Sequence, residues 1–235
     1  MTRRTRTILL ITILILALAI GGYLYYASHF KIYLDTARML ESVYDAEKSD
    51  LSYTVTLNGK ELDVQFRTVK FPVGERGSAM KIDVEGDYLS HTFYKINGRS
   101  YADESALERA IPKNFMSLLQ WGAEIYSSDL EIERTRDGSR TVYTVKVPDS
   151  MVQSFMDRYL EGLDRLDLTY SDCTMYLTSV DGVMTELTLH GTTQYKVLAR
   201  QASALITVRV HVNGVGDAVK APTLPQDVLD SIHGS

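Results

Sequence analysis

The chain is poor in the residues that carry most recognisable chemistry. It has one cysteine, Cys173, in 235 residues. A lone thiol excludes an internal disulfide framework and a cysteine-rich zinc site. Its five histidines are His29, His91, His190, His211 and His233. No two stand at the i, i+4 spacing of a helical ligand pair, so no metal is implied. There is no G-x-S-x-G elbow, and no S-x-x-K set with its companion motifs. Gly74 and Gly77, like Gly214 and Gly216, fall in turns, and neither pair opens a helix with phosphate-loop spacing. Asp164, Asp167 and Asp172 straddle a predicted helix end and strand start, where solvated acids are ordinary. Cys173 lies among alternating apolar residues, as a buried and inert thiol would. These absences argue against an enzyme and imply no cofactor.

Positive charge is also scarce. The chain has 25 basic and 30 acidic residues, a net charge of −5. Three of the basic residues, Arg3, Arg4 and Arg6, sit at the N-terminus. Without them 22 basic residues face 30 acidic ones, a net −8. So acidic a body excludes a general nucleic-acid binder, which needs a basic footprint.

What the chain does have begins directly after those arginines. Thr7 to Phe30 is uncharged except for His29, and Ile8 to Ile20 is almost wholly Ile, Leu and Ala. Residues 7–26 would form a helix of roughly 30 Å, the thickness of a bilayer core. The arginines place residues 1–6 in the cytoplasm, and Tyr23, Tyr25 and Tyr26 suit an interfacial belt. The competing reading is a cleaved secretory signal with an A-x-A site at Ala17-Leu18-Ala19. The apolar run continues past Ala19, which favours the uncleaved anchor. No cysteine follows, so a lipobox is absent. Both readings put the body, residues 27–228, outside the cytoplasm, in the cell membrane or beyond it, with 229–235 as a flexible tail.

The body alternates between two periodicities. Residues 31–48 show apolar residues three and four apart, the mark of an amphipathic helix. Then Leu51, Tyr53, Val55 and Leu57 alternate with polar residues. Asn58-Gly59 follows, a two-residue hairpin turn. Leu62, Val64 and Phe66 form the return, Met80 to Val84 a third strand, and Tyr88 to Ile96 a fourth ending at Asn97-Gly98. Ser105 with Glu108 fits a capping box, Pro112 suits a helix start, and a helix runs on to Tyr126. Leu130 to Val147 is a hairpin turning at Asp137-Gly138. Ser150 with Gln153 suggests another cap, for a helix through Leu163. Thr169 to Tyr195 is a hairpin turning at Asp181-Gly182, and Ile206 to Val212 is the last strand. His190 is placed at a strand end, and Ala221 to Ser235 is read as a loosely packed tail.

This gives nine or ten strands and three to four helices, with tight turns between sequential strands. The fold class is α+β: a curved antiparallel sheet forming a half-open barrel, with helices on its concave face. Strict alternation predicts one covered face and one wet face. Two of the inner helices concentrate large, adaptable apolar residues. One carries Phe115, Met116, Leu119 and Trp121; the other carries Met151, Phe155, Met156 and Tyr159. Methionine and aromatic side chains line pockets that accept varied apolar ligands. They equally fill the space between helix and sheet.

The order helix, four-strand meander, helices, hairpin, helix, long hairpin and last strand resembles the LolA/LolB and LppX/LprG-like superfamily of lipoprotein and lipid carriers. The closing stretch Ile206 to Pro222, ITVRVHVNGVGDAVKAP, is similar to the ending of many such domains. Met39-Leu-Glu-Ser-Val-Tyr44, leading into an alternating strand, is similar too. The likeness covers roughly residues 32–228. It implies a half-open barrel holding acyl chains under a helical lid, and hence a lipid or lipoprotein ligand. Two functional expectations stand. The first is a membrane-anchored extracytoplasmic domain binding an acyl chain. The second is a non-catalytic envelope scaffold with a protein partner, to which the 15 tyrosines are suited.

Overall fold

A computed structural model of the chain describes residues 15–16, 18–26, 30–61, 64–74, 77–86, 89–97, 99–101, 117–159, 169–197, 200–226 and 228–229. Residues 15–16 and 18–25 are helical. Among the described residues no helix is long and apolar enough to cross a membrane. The span expected at residues 7–26 lies partly outside them, as do the capping box at Ser105 and Glu108, Pro112, and residues 230–235.

The elements follow in the order α1 (Lys31–Tyr44), β1 (Ser49–Leu57), β2 (Lys60–Glu61), β3 (Val64–Val73), β4 (Gly77–Gly86), β5 (Leu89–Ile96), β6 (Arg99–Tyr101), α2 (Ser117–Ser127), β7 (Ile132–Asp137), β8 (Arg140–Lys146), α3 (Asp149–Tyr159), β9 (Thr169–Val180), β10 (Val183–Val197) and β11 (Arg200–Val215). All eleven strands share one antiparallel sheet, ordered β6-β5-β4-β3-β1-β11-β10-β9-β8-β7, with β2 paired to β1. Two meanders, one from each half of the chain, meet where the first strand pairs with the last. Leu51 lies opposite Val212 and Leu57 opposite Ile206. The edges, β6 and β7, do not meet, so the sheet is open.

The hairpin turns form where small or amide residues tolerate positive φ. Asn58 and Gly59 have φ of 51° and 77°, and Asp181 and Gly182 have 51° and 80°. The alternation sends Leu51, Tyr53, Ile82, Val84, Phe93, Tyr143, Val145, Met175, Leu177, Leu187 and Val210 to the inner face. There they form one core with Leu40 and Val43 of α1 and with Leu118, Leu119, Trp121, Ile125 and Tyr126 of α2. Gly122 brings α2 close. A Cβ at that position would lie 3.1 Å from Leu187 Cδ2 and 3.5 Å from Leu40 Cδ2.

Several expectations need correction. Among the described residues the sheet has eleven strands rather than nine or ten, because β2 and β6 are short additions. His190 stands in the middle of β10, not at a strand end. α3 begins at Asp149, and the Val152 N–H bonds the Pro148 carbonyl, so Ser150 lies inside the first turn and is not the cap. The outer face is not wholly wet, nor is the C-terminal segment loose. Val219 and Val228 are buried, and with Leu224 they pack onto Val69, Phe71, Ala79 and Ile96. The β3–β4–β5 register puts those four residues on the face opposite the main core. A strap from Gly216 to Leu229 therefore covers one patch of the outer face.

Candidate functional site

The helices that the sequence marks as a lid meet over the inner face. The Trp121 ring of α2 stacks on the Phe155 ring of α3, with centroids 4.5 Å apart and planes at 23°. Leu119 and Trp121 are fully packed in the core, while Met151 and Phe155 are half-buried against it. Phe115 and Met116 lie outside the described residues. Met156 and Tyr159 fall in α3, but their side chains lie outside what is described. Of the eight candidates, the structure brings Trp121 and Phe155 into direct contact, and Leu119 and Met151 belong to the same core.

One device fastens α2 to the sheet, and a second locks two strands of the inner face together. The Tyr126 hydroxyl, fully buried, donates toward the Tyr143 carbonyl at 2.8 Å and the Met175 carbonyl at 3.2 Å. Burial pushes that phenol far above its usual range, so it stays a neutral donor. Cys173 lies against Gly191, where a Cβ would come within 2.6 Å of its sulfur. A bulge makes this fit. The register with β10 slips between His190 and Thr192, and Asp172 takes φ 53°. The thiol is 4% exposed, and burial pushes it up to about 11. It is therefore a poor nucleophile at neutral pH.

Past this packed region the inner face continues with less cover. Val55 pairs with Val208, Leu57 with Ile206, and Leu189 with Val208. Phe66 lies opposite Tyr53 on the same face. All six side chains, Val55, Leu57, Phe66, Leu189, Ile206 and Val208, are only partly buried. Among the described residues Val55, Leu57 and Ile206 do not join the packed core, whereas Phe66, Leu189 and Val208 border it. Together they make an apolar shelf at the end of the sheet where β10 and β11 outrun β1. The helix-based reading missed these residues, although the alternation in β1 and β11 already placed them on one face.

The outer face is chemically different. A cleft of about 350 Å³ opens between the strap and the sheet, lined by Asp50, Arg67, Lys81, Asp83, Asn213 and Lys220 among others. Its charges are largely paired. Arg67 grips Asp50 through two bonds of 2.9 and 2.6 Å, Lys81 Nζ lies 2.8 Å from Asp83, and Asn213 donates to Asp50 at 2.9 Å. The Arg67 bond holds the Asp50 carboxyl below its ordinary range. Such a polar seam does not suit an acyl chain. Among the described residues no group of three or more His, Cys, Asp or Glu is placed to hold a metal.

No protein-family model matches the sequence, and no curated protein does. Comparison with solved structures returns distant likenesses. Lipovitellin, from a study of its lipid–protein interactions, is 7% identical with a TM-score of 0.35. The match covers 77% of this chain but only 26% of that one, about a quarter of its length. An outer membrane lipoprotein-sorting protein domain from Vibrio parahaemolyticus is 9% identical, with a TM-score of 0.24 and coverage of 84% and 96%. A LolA superfamily protein from Nitrosomonas europaea is 8% identical, with a TM-score of 0.19 and coverage of 80% and 97%. LolA superfamily proteins are thus among the structural neighbours. At such scores the likeness carries no functional argument, which rests on the site itself.

Proposed function

We propose that this chain is a non-catalytic binding module, held on the outer side of a cell membrane by its N-terminal apolar segment, that takes a lipid or lipoprotein acyl chain on the inner face of its sheet. The observation that carries this reading is the shelf of Val55, Leu57, Phe66, Leu189, Ile206 and Val208, apolar yet only partly buried and continuous with the core. Each methylene laid there would contribute about 0.8 kcal/mol. The Trp121–Phe155 stack ties α2 to α3. The orientation is supported by Arg3, Arg4 and Arg6 before the apolar run, and by the tyrosines after it.

The test is binding of a fluorescent fatty-acid analogue to the purified chain. Ile206→Trp, which crowds the shelf away from the packed core, should weaken binding about tenfold or more and leave the unfolding midpoint nearly unchanged. Unchanged binding in a folded variant would sink the reading. The scaffold reading would then gain from the outer face of β9–β11. There His190 Nδ1 lies 2.7 Å from Thr207 Oγ1, and Arg209 3.4 Å from Glu186, on a largely polar surface.

A further inference from the structure

The cleft on the outer face is independent of the shelf and has a chemistry of its own. Its cations come from both of its sides: Arg67 of β3 and Lys81 of β4 from the sheet, and Lys220 from the strap. Arg67 stands opposite Asp83 and Lys81 opposite Val69, so Arg67 and Lys81 are diagonal neighbours on one face. Side chains so placed start about 7–8 Å apart, a gap that one oxyanion can bridge. Val69, Val219 and Pro222 give the cleft an apolar wall.

The charges that the cleft offers are positive. Among its described lining residues Arg67, Lys81 and Lys220 face only two carboxylates, Asp50 and Asp83, in a chain of net −5. The carboxylates are also the deeper groups. The Asp50 and Asp83 side chains are 14% and 17% exposed, those of Arg67 and Lys81 56% and 26%. Glu85, the next acid along β4, is exposed and does not line the cleft. Both lining acids are engaged within the seam. Asp50 accepts from Arg67 and Asn213, and Asp83 accepts from Lys81 and, at 2.7 Å, from the Thr92 hydroxyl. The cations keep donors beyond these bonds. The pair with Asp50 uses Nε and Nη2 of Arg67, and Nη1 takes no part in it. An ammonium such as that of Lys81 has donors left after a single bond.

We infer that the strap cleft is a binding site for a phosphate group, held by Arg67 Nη1 and Lys81 Nζ on the sheet and by Lys220 Nζ on the strap. The planar fork of Arg67 is already engaged with a carboxylate. What remains is separate donors on two strands and the strap. They suit a tetrahedral oxyanion, whose oxygens point several ways, better than a planar carboxylate. At about 350 Å³ the cleft is larger than one such ion, so a phosphate ester with a small organic part fits beside the apolar wall. Bound there, the phosphate bridges strap and sheet. Its source is either a soluble phosphate ester or a phospholipid headgroup, and the test separates the two.

The test titrates the full chain, in a nonionic detergent at constant ionic strength, with inorganic phosphate, and follows the heat. Binding in about the millimolar range is expected, and no heat from acetate. Lys220→Glu changes an exposed side chain, so the unfolding midpoint should hold while phosphate binding weakens about tenfold or more. Asp50→Asn releases the Arg67 fork and should tighten binding. Glycerol 3-phosphate binding more tightly than water-soluble dibutyryl phosphatidate supports the site with a soluble ester as its ligand, and the reverse order supports it with a lipid headgroup. Phosphate that binds parent and Lys220→Glu alike, or not at all, overturns the site. Acetate that binds as phosphate does overturns the choice of a tetrahedral anion. Weaker binding by Asp50→Asn overturns the role of Arg67.

Discussion

The two ends of the inner sheet face arise from the same alternation and differ in what covers them. At the packed end, Leu177, Leu187 and Val210 are completely removed from solvent, and Gly122 lets α2 settle against Leu187 and Leu40. At the shelf end, Leu57 and Ile206 face each other outside the core. A strand pattern can therefore state which face is apolar without stating how much of it the helices cover. In this molecule the difference separates residues that hold the fold from residues left partly open.

The sharpest way to break that comparison is to shorten one leucine at each end. Leu177→Ala removes a fully buried side chain and should cost about 2–5 kcal/mol. Leu57→Ala, outside the packed core, should cost less than about 1 kcal/mol. Urea denaturation of both variants measures the contrast, and equal losses would mean that the shelf is part of the core after all. The strap offers a comparison of intermediate size on the outer face. Val228→Ala removes two methylene equivalents from a site that is 7% exposed and should cost about 1.5 kcal/mol. A loss near zero would mean that the strap merely rests on the sheet.

A smaller effect tests how the lid is fastened. Tyr126→Phe keeps the ring and removes the donor to the Tyr143 and Met175 carbonyls. The expected loss is about 1 kcal/mol, and more if those carbonyls find no water. The same variant should bind the fatty-acid analogue as the parent does, because the hydroxyl is fully buried beneath α2 and is not open on the shelf. A large change in binding with little change in stability would reverse the assignment of the two ends.

The parts of the fold that could be read from the sequence are those written locally. Asn58-Gly59, Asp137-Gly138 and Asp181-Gly182 mark their turns because few other residues accept positive φ. The alternation in β1, β4 and β8 gave their faces. The boundary between β10 and β11 was not legible, because the two strands merge into mixed polarity. The pairing of β1 with β11 joins residues more than 140 positions apart and leaves no local trace. The bulge at Asp172 could not be read either, since it exists to bring Cys173 against Gly191. At the site, Trp121 and Phe155 were recognisable as helix-face aromatics, but their stacking depends on how α2 and α3 cross. The strap was misjudged because Pro222 and Pro225 suggest a tail, while the apolar patch that receives it lies on strands whose other face is also apolar.

The smallest expected effect concerns the outer seam, and its direction follows from the Asp50 carboxyl. Arg67 holds that group below the ordinary carboxylate range. A carboxyl depressed in the folded state stabilises fully above its unfolded value of about 4, and that stabilisation fades as pH falls toward the folded value. Arg67 is 56% exposed at its side chain, so solvent screens the pair and the contribution stays below about 1 kcal/mol. Asp50→Asn should therefore lower the urea midpoint slightly at pH 7. The gap to the parent should close as the pH falls below about 4, and also at high salt. Variants of the inner shelf should show no such pH dependence, since Val55, Leu57, Ile206 and Val208 carry no ionisable group. A gap that persisted at low pH would mean that Asp50 acts through packing and its bond from Asn213. The outer seam would then be held by shape, as the packed end of the inner face is, and not by charge.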